Sequence, residues 1–346
     1  MLAEQKGAVV IFIAVAMVLL LGFAALAVDI GYMLVAKNEL QNIADAAALA
    51  ATRQLGVFYE DMTYEEQQGY TCDPEDIVPI PVNLAQQNRA AGMGITILYS
   101  DVVIGRWNSS THTLSPTLDQ PDAIRVTARR DAGANGPITT FFARILGIDT
   151  AAISADATAA LTGQSTAGPG ELEIPVGISR QWFQEGFCDQ PIKFYPTGGM
   201  EGCAGWHTFD SWPSNASKLR EILEGMTPED PDFIAPETIA EDSQFVFIGG
   251  NLATAFDEME ALYDAKKDAD GNWETLVVVY DRDDCSNPTG NITIVGFATA
   301  IITGVNGSSD DPPHTIFAHV ICENVEFGRG SGGNYGTYGS IPGLVE

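Results

Sequence analysis

The chain has 346 residues, enough for two modest domains or for one domain with an anchor. Its 46 acidic side chains outnumber 17 basic ones, and the resulting net charge of −29 argues against nucleic acid and anionic lipid headgroups as partners. The first 56 residues hold four acidic and three basic side chains, so the excess belongs to the rest of the chain. That remainder is expected to be loop-rich and strand-containing, with surface carboxylates that keep it soluble.

An uncharged run of 22 residues extends from Gly7 to Val28. As a helix it would be about 33 Å long, which spans the hydrocarbon core of a bilayer. Only Lys6 is basic before it, and the run is longer than the apolar part of a secretory signal, so we expect an uncleaved anchor in the lipid bilayer. A cleaved signal peptide and a buried core helix are the alternatives. The positive charges at the start favour a cytoplasmic N-terminus and a periplasmic or extracellular remainder.

Helical periodicity continues beyond this run. Apolar residues recur at intervals of three and four, the spacing of a surface through which helices pack. We call these residues the stripe: Met33, Ala36, Leu40, Ile43, Ala47 and Ala50. Because Gly56 is a suitable helix stop, we predict one helix over residues 8–55. We predict that the stripe packs against like helices of other subunits. The alternative is that it packs against the chain's own sheet.

The remaining segments predict an α+β fold in chain order. A long N-terminal transmembrane-to-soluble helix is expected to pack on a small sheet, followed by a second mixed α+β, strand-rich domain. The boundaries we predict are an anchor with its helical extension at 1–56, a helix and sheet unit at 57–162, a Gly- and Ser-rich linker at 163–171 and an acidic extracytoplasmic domain at 172–346. Within these we predict helices at 84–91, 139–146, 217–226 and 252–266, and strands at 95–107, 123–128, 151–161, 275–280, 291–303 and 315–322.

Five cysteines are widely spaced, and none is in a CxxC or CxxCH sequence. This excludes thioredoxin-like, zinc-ribbon and c-type haem sites. In an oxidising compartment we expect Cys188 to pair with Cys203 and Cys285 with Cys322, which leaves Cys72 single. Spacing does not fix the connectivity, and reduced thiols remain the alternative.

The chemical motifs are weak. The histidines at 112, 207, 314 and 319 have no metal-ligand spacing, and Gly328-x-Gly330-x-x-Gly333 lacks room for the helix and strand of a dinucleotide site. The Asp268–Gly271 run lacks the terminal carboxylates of a calcium loop. We therefore predict no catalytic site, cofactor or metal. The tryptophans at 182, 206, 212 and 273 and the carboxylates near 268–284 leave a tethered adhesin for glycan or calcium as the alternative.

Three short sequences stand at fixed spacing in the N-terminal region: Gly7-Ala8-Val9, Ala27-Val28-Asp29-Ile30-Gly31 and Leu40-Gln41-Asn42-Ile43-Ala44-Asp45-Ala46-Ala47-Ala48-Leu49-Ala50. Together they resemble the TadE/TadG-like proteins of the Flp, or tight-adherence, pilus system. Later segments resemble the same family, among them Val103-x-Gly105-x-Trp107 and Phe141-Phe142-Ala143-Arg144-Ile145-Leu146-Gly147.

The resemblance implies a non-catalytic envelope component that supports pilus assembly or surface attachment. Its partners would be the bilayer, through residues 7–28, and other pilus-system or like subunits, through the N-terminal helix. Two departures limit it: no Asp-x-Ser-x-Ser metal sequence is present, and Phe12 stands where a processed pilin has glutamate. A permanent anchor is therefore expected over extrusion as a pilin.

Overall fold

The computed structural model describes residues 2–188, 190–194, 203–228, 231–250 and 252–346. The chain forms two compact units: unit 1 contains Met1–Gln54, Tyr70–Ala160 and Leu344–Glu346, and unit 2 contains Leu55–Gly69 and Leu161–Gly343. Helices and strands are mixed in both, which confirms the predicted α+β fold with a long apolar N-terminal helix.

The first element is the helix α1 (Leu2–Glu60), rich in alanine and leucine and free of proline. It runs past the end expected at residue 55, and Gly56 lies inside it. A Cβ atom at Gly56 would collide with the backbone carbonyl of Ser340, which also belongs to unit 2. The glycine therefore permits a close approach of two backbones, and the prediction that it stops the helix is wrong.

Unit 1 builds a small antiparallel sheet beside α1. The strands and helices of this part of the chain are α3 (Pro74–Ile77), α4 (Pro79–Gln86), β1 (Arg89–Ala90), β2 (Met93–Gly94), β3 (Val102–Asn108), β4 (Thr113–Pro116), β5 (Ala123–Arg130), β6 (Ile138–Thr139), β7 (Thr150–Ala151), β8 (Ile153–Ala160) and β20 (Gly343–Leu344). The order of the strands in the sheet is β20-β8-β5-β3-β4. Inward residues alternate along β5, as expected for a half-buried strand.

Hydrogen bonds place α1 alongside β8. The side chain of Gln41 donates to the Asp156 carbonyl at 2.9 Å, and the Thr52 hydroxyl donates to the Ala159 carbonyl at 3.2 Å. The facing residues are mostly alanines on both elements, and their small size allows the helix to approach the strand closely.

Two predicted helices of unit 1 differ from the structure. The short helix expected at 84–91 instead extends from Pro79 to Gln86, because proline is favoured in a first helical turn, and Arg89–Ala90 is a strand. The helix expected at 139–146 is instead the tip of a hairpin between β6 and β7, with one turn of 3₁₀-helix over Ala143–Leu146. Its apolar spacing imitates a longer helix, but Gly147 in the left-handed region ends it at once.

Unit 2 contains most of the strands. Its elements are α2 (Tyr64–Gln68), β9 (Thr166–Ala167), β10 (Val176–Ser179), α5 (Arg180–Gln184), β11 (Pro191–Phe194), β12 (Ala204–His207), α6 (Ala216–Met226), β13 (Thr238–Ile239), β14 (Gln244–Ile248), α7 (Phe256–Lys266), β15 (Trp273–Tyr280), β16 (Gly290–Asn306), β17 (Thr315–Val320), β18 (Asn324–Arg329) and β19 (Thr337–Ile341). The predicted strands and helices after residue 210 lie close to these observed elements.

Hydrogen bonds close five of these strands into a ring. The 17-residue strand β16 pairs with β14 and also with β15, while β10 joins β15 to β12 and β12 pairs with β14. β17 and β11 extend the sheet from β16. The core of the unit is formed by the apolar faces of these strands and of α6 and α7. Closure leaves fewer exposed strand edges, which limits edge-to-edge association.

Residues 163–171, which we expected to be a linker, lie within unit 2. Thr166 and Ala167 pair with β13, and Ala167 is buried in the core. A segment rich in glycine and serine can still add a short strand, because its small side chains pass between larger ones.

The structure bonds the four expected cysteines but exchanges their partners. Cys188 bonds Cys322, and Cys203 bonds Cys285, so the pairings Cys188–Cys203 and Cys285–Cys322 are wrong. Cys72 is buried and free. Part of the loop between Cys188 and Cys203 lies outside the described residues.

Sheet register explains both bonds. β11 pairs with β17 so that Pro191 faces His319, and the same antiparallel register extended outward sets Cys188 opposite Cys322. Cys203 lies opposite Ser179 on β10, and the Ser179 hydroxyl donates to the carbonyls of Arg282 and Asp284, next to Cys285. The connectivity is thus a property of the sheet, which spacing along the chain does not encode.

Candidate functional site

The apolar run of α1 packs against no other part of the described chain. From Val9 to Val28 the side chains are exposed around the whole helix, apart from a half-exposed Ala25. Among the described residues, α1 is the one helix long and apolar enough to cross a membrane. Its exposure separates it from an ordinary core helix, which would be buried on one face at least.

The exposed run ends at a buried carboxylate. Asp29 is 2% exposed and accepts three backbone N–H bonds from the hairpin tip. Phe141 donates at 2.7 Å, Phe142 at 2.9 Å and Ala143 at 2.6 Å. These N–H groups begin the 3₁₀ turn and have no partner within it, so the carboxylate caps the turn from a residue 112 positions away.

The same contacts set the protonation state of Asp29. Burial raises the pKa of the carboxyl group, but the three N–H bonds and the nearby Arg144 together lower it by more. The net pKa therefore lies below its ordinary value. Asp29 is therefore a carboxylate at neutral pH. We call this arrangement the Asp29 clamp.

A second set of contacts follows within three turns of α1. The Tyr32 hydroxyl donates to the carbonyl of Ala91 at 3.3 Å, and the Ala91 N–H donates to the Glu39 carboxylate at 2.7 Å. The Phe141 ring meets the Tyr32 ring edge to face, with centroids 5.2 Å apart. Unit 1 is thus held to α1 from the first residue after the apolar run.

The structure also locates the six stripe residues. Ala36, Leu40, Ile43 and Ala47 are buried within unit 1, and Met33 and Ala50 are half-buried. The stripe begins one turn after Asp29 and continues along the side of α1 that lies by β8. This burial favours the second interpretation of the pattern, in which the helix covers its own sheet.

Buried Arg130 and the hairpin tip were missed by sequence reasoning. The Arg130 guanidinium donates to the carbonyls of Ala90, Asn135 and Gly136, and so fixes the loop that leads into the hairpin. The FFARILG segment resembles the family and is predicted to be helical, and its many apolar residues after a strand indicate that it is not an ordinary surface loop.

Within the part of the chain that the structure describes, the other chemical motifs do not assemble a site. Trp182, Trp206 and Trp273 are buried, so three of the four tryptophans considered for glycan binding are packed inside, while Trp212 is exposed. Asp268 accepts the N–H groups of Asp270 and Asn272 and forms a turn. No group of three His, Cys, Asp or Glu residues within the described ranges is arranged to hold a metal ion.

Unit 2 has a cavity of about 350 Å³ with an acidic lining. Glu171, Glu274 and Glu326 line it together with Gln164 and Thr275, and the described residues provide no hydrogen-bond partner for the side-chain oxygens of these last two. Burial raises the pKa of Glu326, and the neighbouring carboxylates add to this effect. The acidic lining favours a positively charged group as the occupant of this cavity.

Two family models match the chain. The model described as Flp pilus-assembly TadE/G-like matches residues 7–54, and the model described as Tad-like Flp pilus-assembly matches residues 36–159. The first covers the apolar run, the Asp29 clamp position and the stripe; the second extends through β8 and includes the hairpin tip. No curated protein and no solved structure matches the chain.

Proposed function

The chain belongs, over residues 7–159, to the TadE/TadG-like Flp pilus-assembly family, and on that premise we propose that it is a membrane-anchored, non-catalytic structural or assembly subunit of a Tad (Flp)-type pilus or surface-attachment apparatus. It acts by holding a folded envelope domain at the membrane and by associating with like subunits. Residues 7–28 are its bilayer anchor.

The observation that carries the anchor is the change of environment at Asp29. Before it, some twenty apolar residues present their side chains outward in every direction; after it, the helix is held by polar contacts and by a buried stripe. Exposed apolar area costs about 25 cal/mol per Å² in water, so a helix of this kind is stable only in an apolar solvent.

The two disulfides support an orientation. Disulfides persist in oxidising compartments, so unit 2 belongs outside the cytoplasm, in the periplasm or at the cell surface. With one membrane crossing by residues 7–28, the N-terminus is then cytoplasmic, as the positive charges around Lys6 favour.

Association uses a different face of α1 from the one first predicted. Because the stripe is covered by unit 1, we assign lateral contact to the opposite, outward face, where apolar residues continue past the anchor at helical spacing. Its members are Phe23, Ile30 and Leu34, all exposed. A like helix from another subunit of the pilus system is its partner, because an apolar face that leaves the bilayer core gains from being covered.

Crosslinking between copies tests this assignment. In a Cys72→Ser background with the disulfides intact, Leu34→Cys should form dimers in membranes with a bifunctional thiol reagent. Ala36→Cys, two residues away and buried in unit 1, is the matched control and should not. Failure of both outward positions beyond the anchor, Ile30 and Leu34, to crosslink while the protein stays in the membrane would contradict association through α1.

The alternative function, a membrane-tethered adhesin for glycan or calcium, has less support. Three of its four candidate tryptophans are buried, and its aspartate run forms a turn. The acidic cavity of unit 2 and the exposed Trp212 favour it. Loss of surface attachment caused by changes in unit 2 alone, with crosslinking unchanged, would favour the adhesin.

A further inference from the structure

Large apolar side chains are concentrated at the hairpin tip, residues 141–148. Five of these eight residues are exposed and apolar: Phe141, Phe142, Ile145, Leu146 and Ile148. Ile145 is 80% exposed and Leu146 is 78% exposed, more than any large apolar residue between Val9 and Val28. Single exposed apolar residues are common on soluble surfaces, but a contiguous group of this density marks a surface that is covered.

The tip has a defined shape. Thr140 donates to the Asp149 carbonyl at 3.0 Å, and Ile148 donates to the Ala143 carbonyl at 3.2 Å. Gly147 closes the turn with φ of 83°, a conformation that glycine adopts without strain. Ala143 points inward and is buried. The backbone thus holds the apolar side chains outward, so their exposure is built into the fold.

The Asp29 clamp fixes the height of the tip along α1. Its three N–H bonds bring the backbone of residues 141–143 to the first helical residue after the apolar run, and the Phe141 ring lies against Tyr32. Tyr32 lies three residues after Asp29, which corresponds to a rise of about 4.5 Å along the helix axis. The polar interface of a bilayer is roughly 5 to 8 Å thick on each side of the hydrocarbon core. The tip therefore falls in the interface whenever residues 7–28 span the core.

We propose that the hairpin tip is a second lipid-contacting element, which inserts its apolar side chains into the membrane interface beside α1. The occupant of this surface is the phospholipid bilayer itself, because the surface is continuous with the anchor and is bonded to the residue at which the anchor ends. This inference rests on the proposed membrane anchoring.

Two points of attachment have a mechanical consequence. A single helix is free to rotate about its axis and to tilt, and these angles are set by neighbouring contacts and interfacial residues. A rigid side loop seated in the same interface fixes both angles for unit 1. The outward face of α1 would then be presented to neighbouring subunits in one orientation. The hydrogen bonds of the Asp29 clamp would hold α1 and the hairpin tip in that fixed relation.

Lipid-attached quenchers measure the position of the tip directly. The full chain, carrying Cys72→Ser and one new cysteine labelled with an environment-sensitive fluorophore, is reconstituted in phosphatidylcholine vesicles that contain a nitroxide on the lipid chain. The label is placed in three separate variants: Ile145→Cys at the tip, Leu20→Cys in the anchor and Ser110→Cys in an exposed turn of unit 1. Iodide in the buffer serves as the aqueous quencher.

We expect the nitroxide to quench Ile145→Cys at least roughly twofold more strongly than Ser110→Cys, with the reverse order for iodide. If Leu20→Cys is quenched by lipid while Ile145→Cys behaves like Ser110→Cys, the tip faces water and this inference fails while the anchor stands. Shielding of Ile145→Cys from both quenchers would mean that protein covers the tip, which also overturns it. Absence of lipid quenching at Leu20→Cys would remove the anchor and the inference together.

Discussion

The two halves of α1 are both helical and both apolar, yet they occupy opposite environments. Leu20 in the first half is 69% exposed, whereas Leu40 in the second half is fully buried. The first half has no preferred side, and the second has the stripe, which begins one turn after Asp29 and is buried over most of its length. Apolar content alone therefore does not tell where a helix segment lies; the distribution around its circumference does.

The two halves of α1 also differ in what surrounds them. The stripe is covered by the alanine-rich face of unit 1, where small side chains on both sides allow close packing. No part of the described chain covers the anchor, so the apolar environment that it needs must come from outside the protein. Asp29 lies where the exposed anchor gives way to the covered stripe. The three backbone N–H groups that donate to it belong to the hairpin tip, outside the bilayer core.

A charge placed on the stripe should have the largest effect. Ala47→Asp introduces a carboxylate into a fully buried alanine site and should destabilise unit 1 by on the order of 4 kcal/mol. Ala46→Asp, on the exposed side of the same turn, is the matched control and should cost less than about 1 kcal/mol. Denaturant unfolding of the detergent-solubilised protein measures both.

The outcome decides which partner the stripe has. If the Ala47→Asp variant unfolds unit 1, the stripe is a core surface. If that variant is as stable as Ala46→Asp and only fails to self-associate, the stripe is an intersubunit surface and the two halves of α1 differ less than the structure implies.

Removing a disulfide should have a somewhat smaller effect, of about 2 to 4 kcal/mol for each bridge. The comparison predicts that the chain beyond the aqueous half of α1 folds in an oxidising compartment. Peptide mapping without reductant should link Cys188 to Cys322 and Cys203 to Cys285, with Cys72 as the free thiol. Recovery of Cys188 linked to Cys203, or of five free thiols from the native envelope, would refute this.

The smallest predicted effect lies at the boundary itself. Asp29→Asn keeps the size of the side chain but leaves one acceptor oxygen for three N–H groups, so the amides of Phe141 to Ala143 should exchange about tenfold faster. Asp149→Asn, on the exposed end of the same hairpin, is the control and should leave the exchange rates of these three amides unchanged.

The clamp also gives a pH dependence of known sign. Because the folded-state pKa of Asp29 lies below its ordinary 3.8, its contribution to stability is complete above pH 3.8 and is lost as the pH falls through the folded-state value. Acid unfolding of unit 1 should therefore be less steep in Asp29→Asn. Equal acid sensitivity in both proteins would show that the clamp does not contribute.

Sequence patterns located the long helix and most of the buried stripe, because helical periodicity records which side chains share a face. They did not identify the surface that covers the stripe, since an amphipathic pattern is the same against a sheet and against another helix. Gly56 illustrates the limit: its role is a close approach to Ser340, some 280 residues later, and a local rule assigned it to a helix end.

The clamp and the disulfides could not be predicted for the same reason. Asp29 stood in a recognised motif, but its partners are backbone groups of a hairpin that was expected to be a helix. The cysteine partners follow from the pairing of β11 with β17 and of β10 with β12, and this register exists only once the strands are assembled.

Membrane partition of the native chain tests the central claim most directly. The full-length protein is produced in a bacterial host, the membranes are washed with alkaline carbonate, and the intact mass of the protein is measured in the pellet and in the supernatant. The account predicts that it stays in the pellet with residues 7–28 still attached. A soluble protein whose mass corresponds to loss of that segment would contradict it.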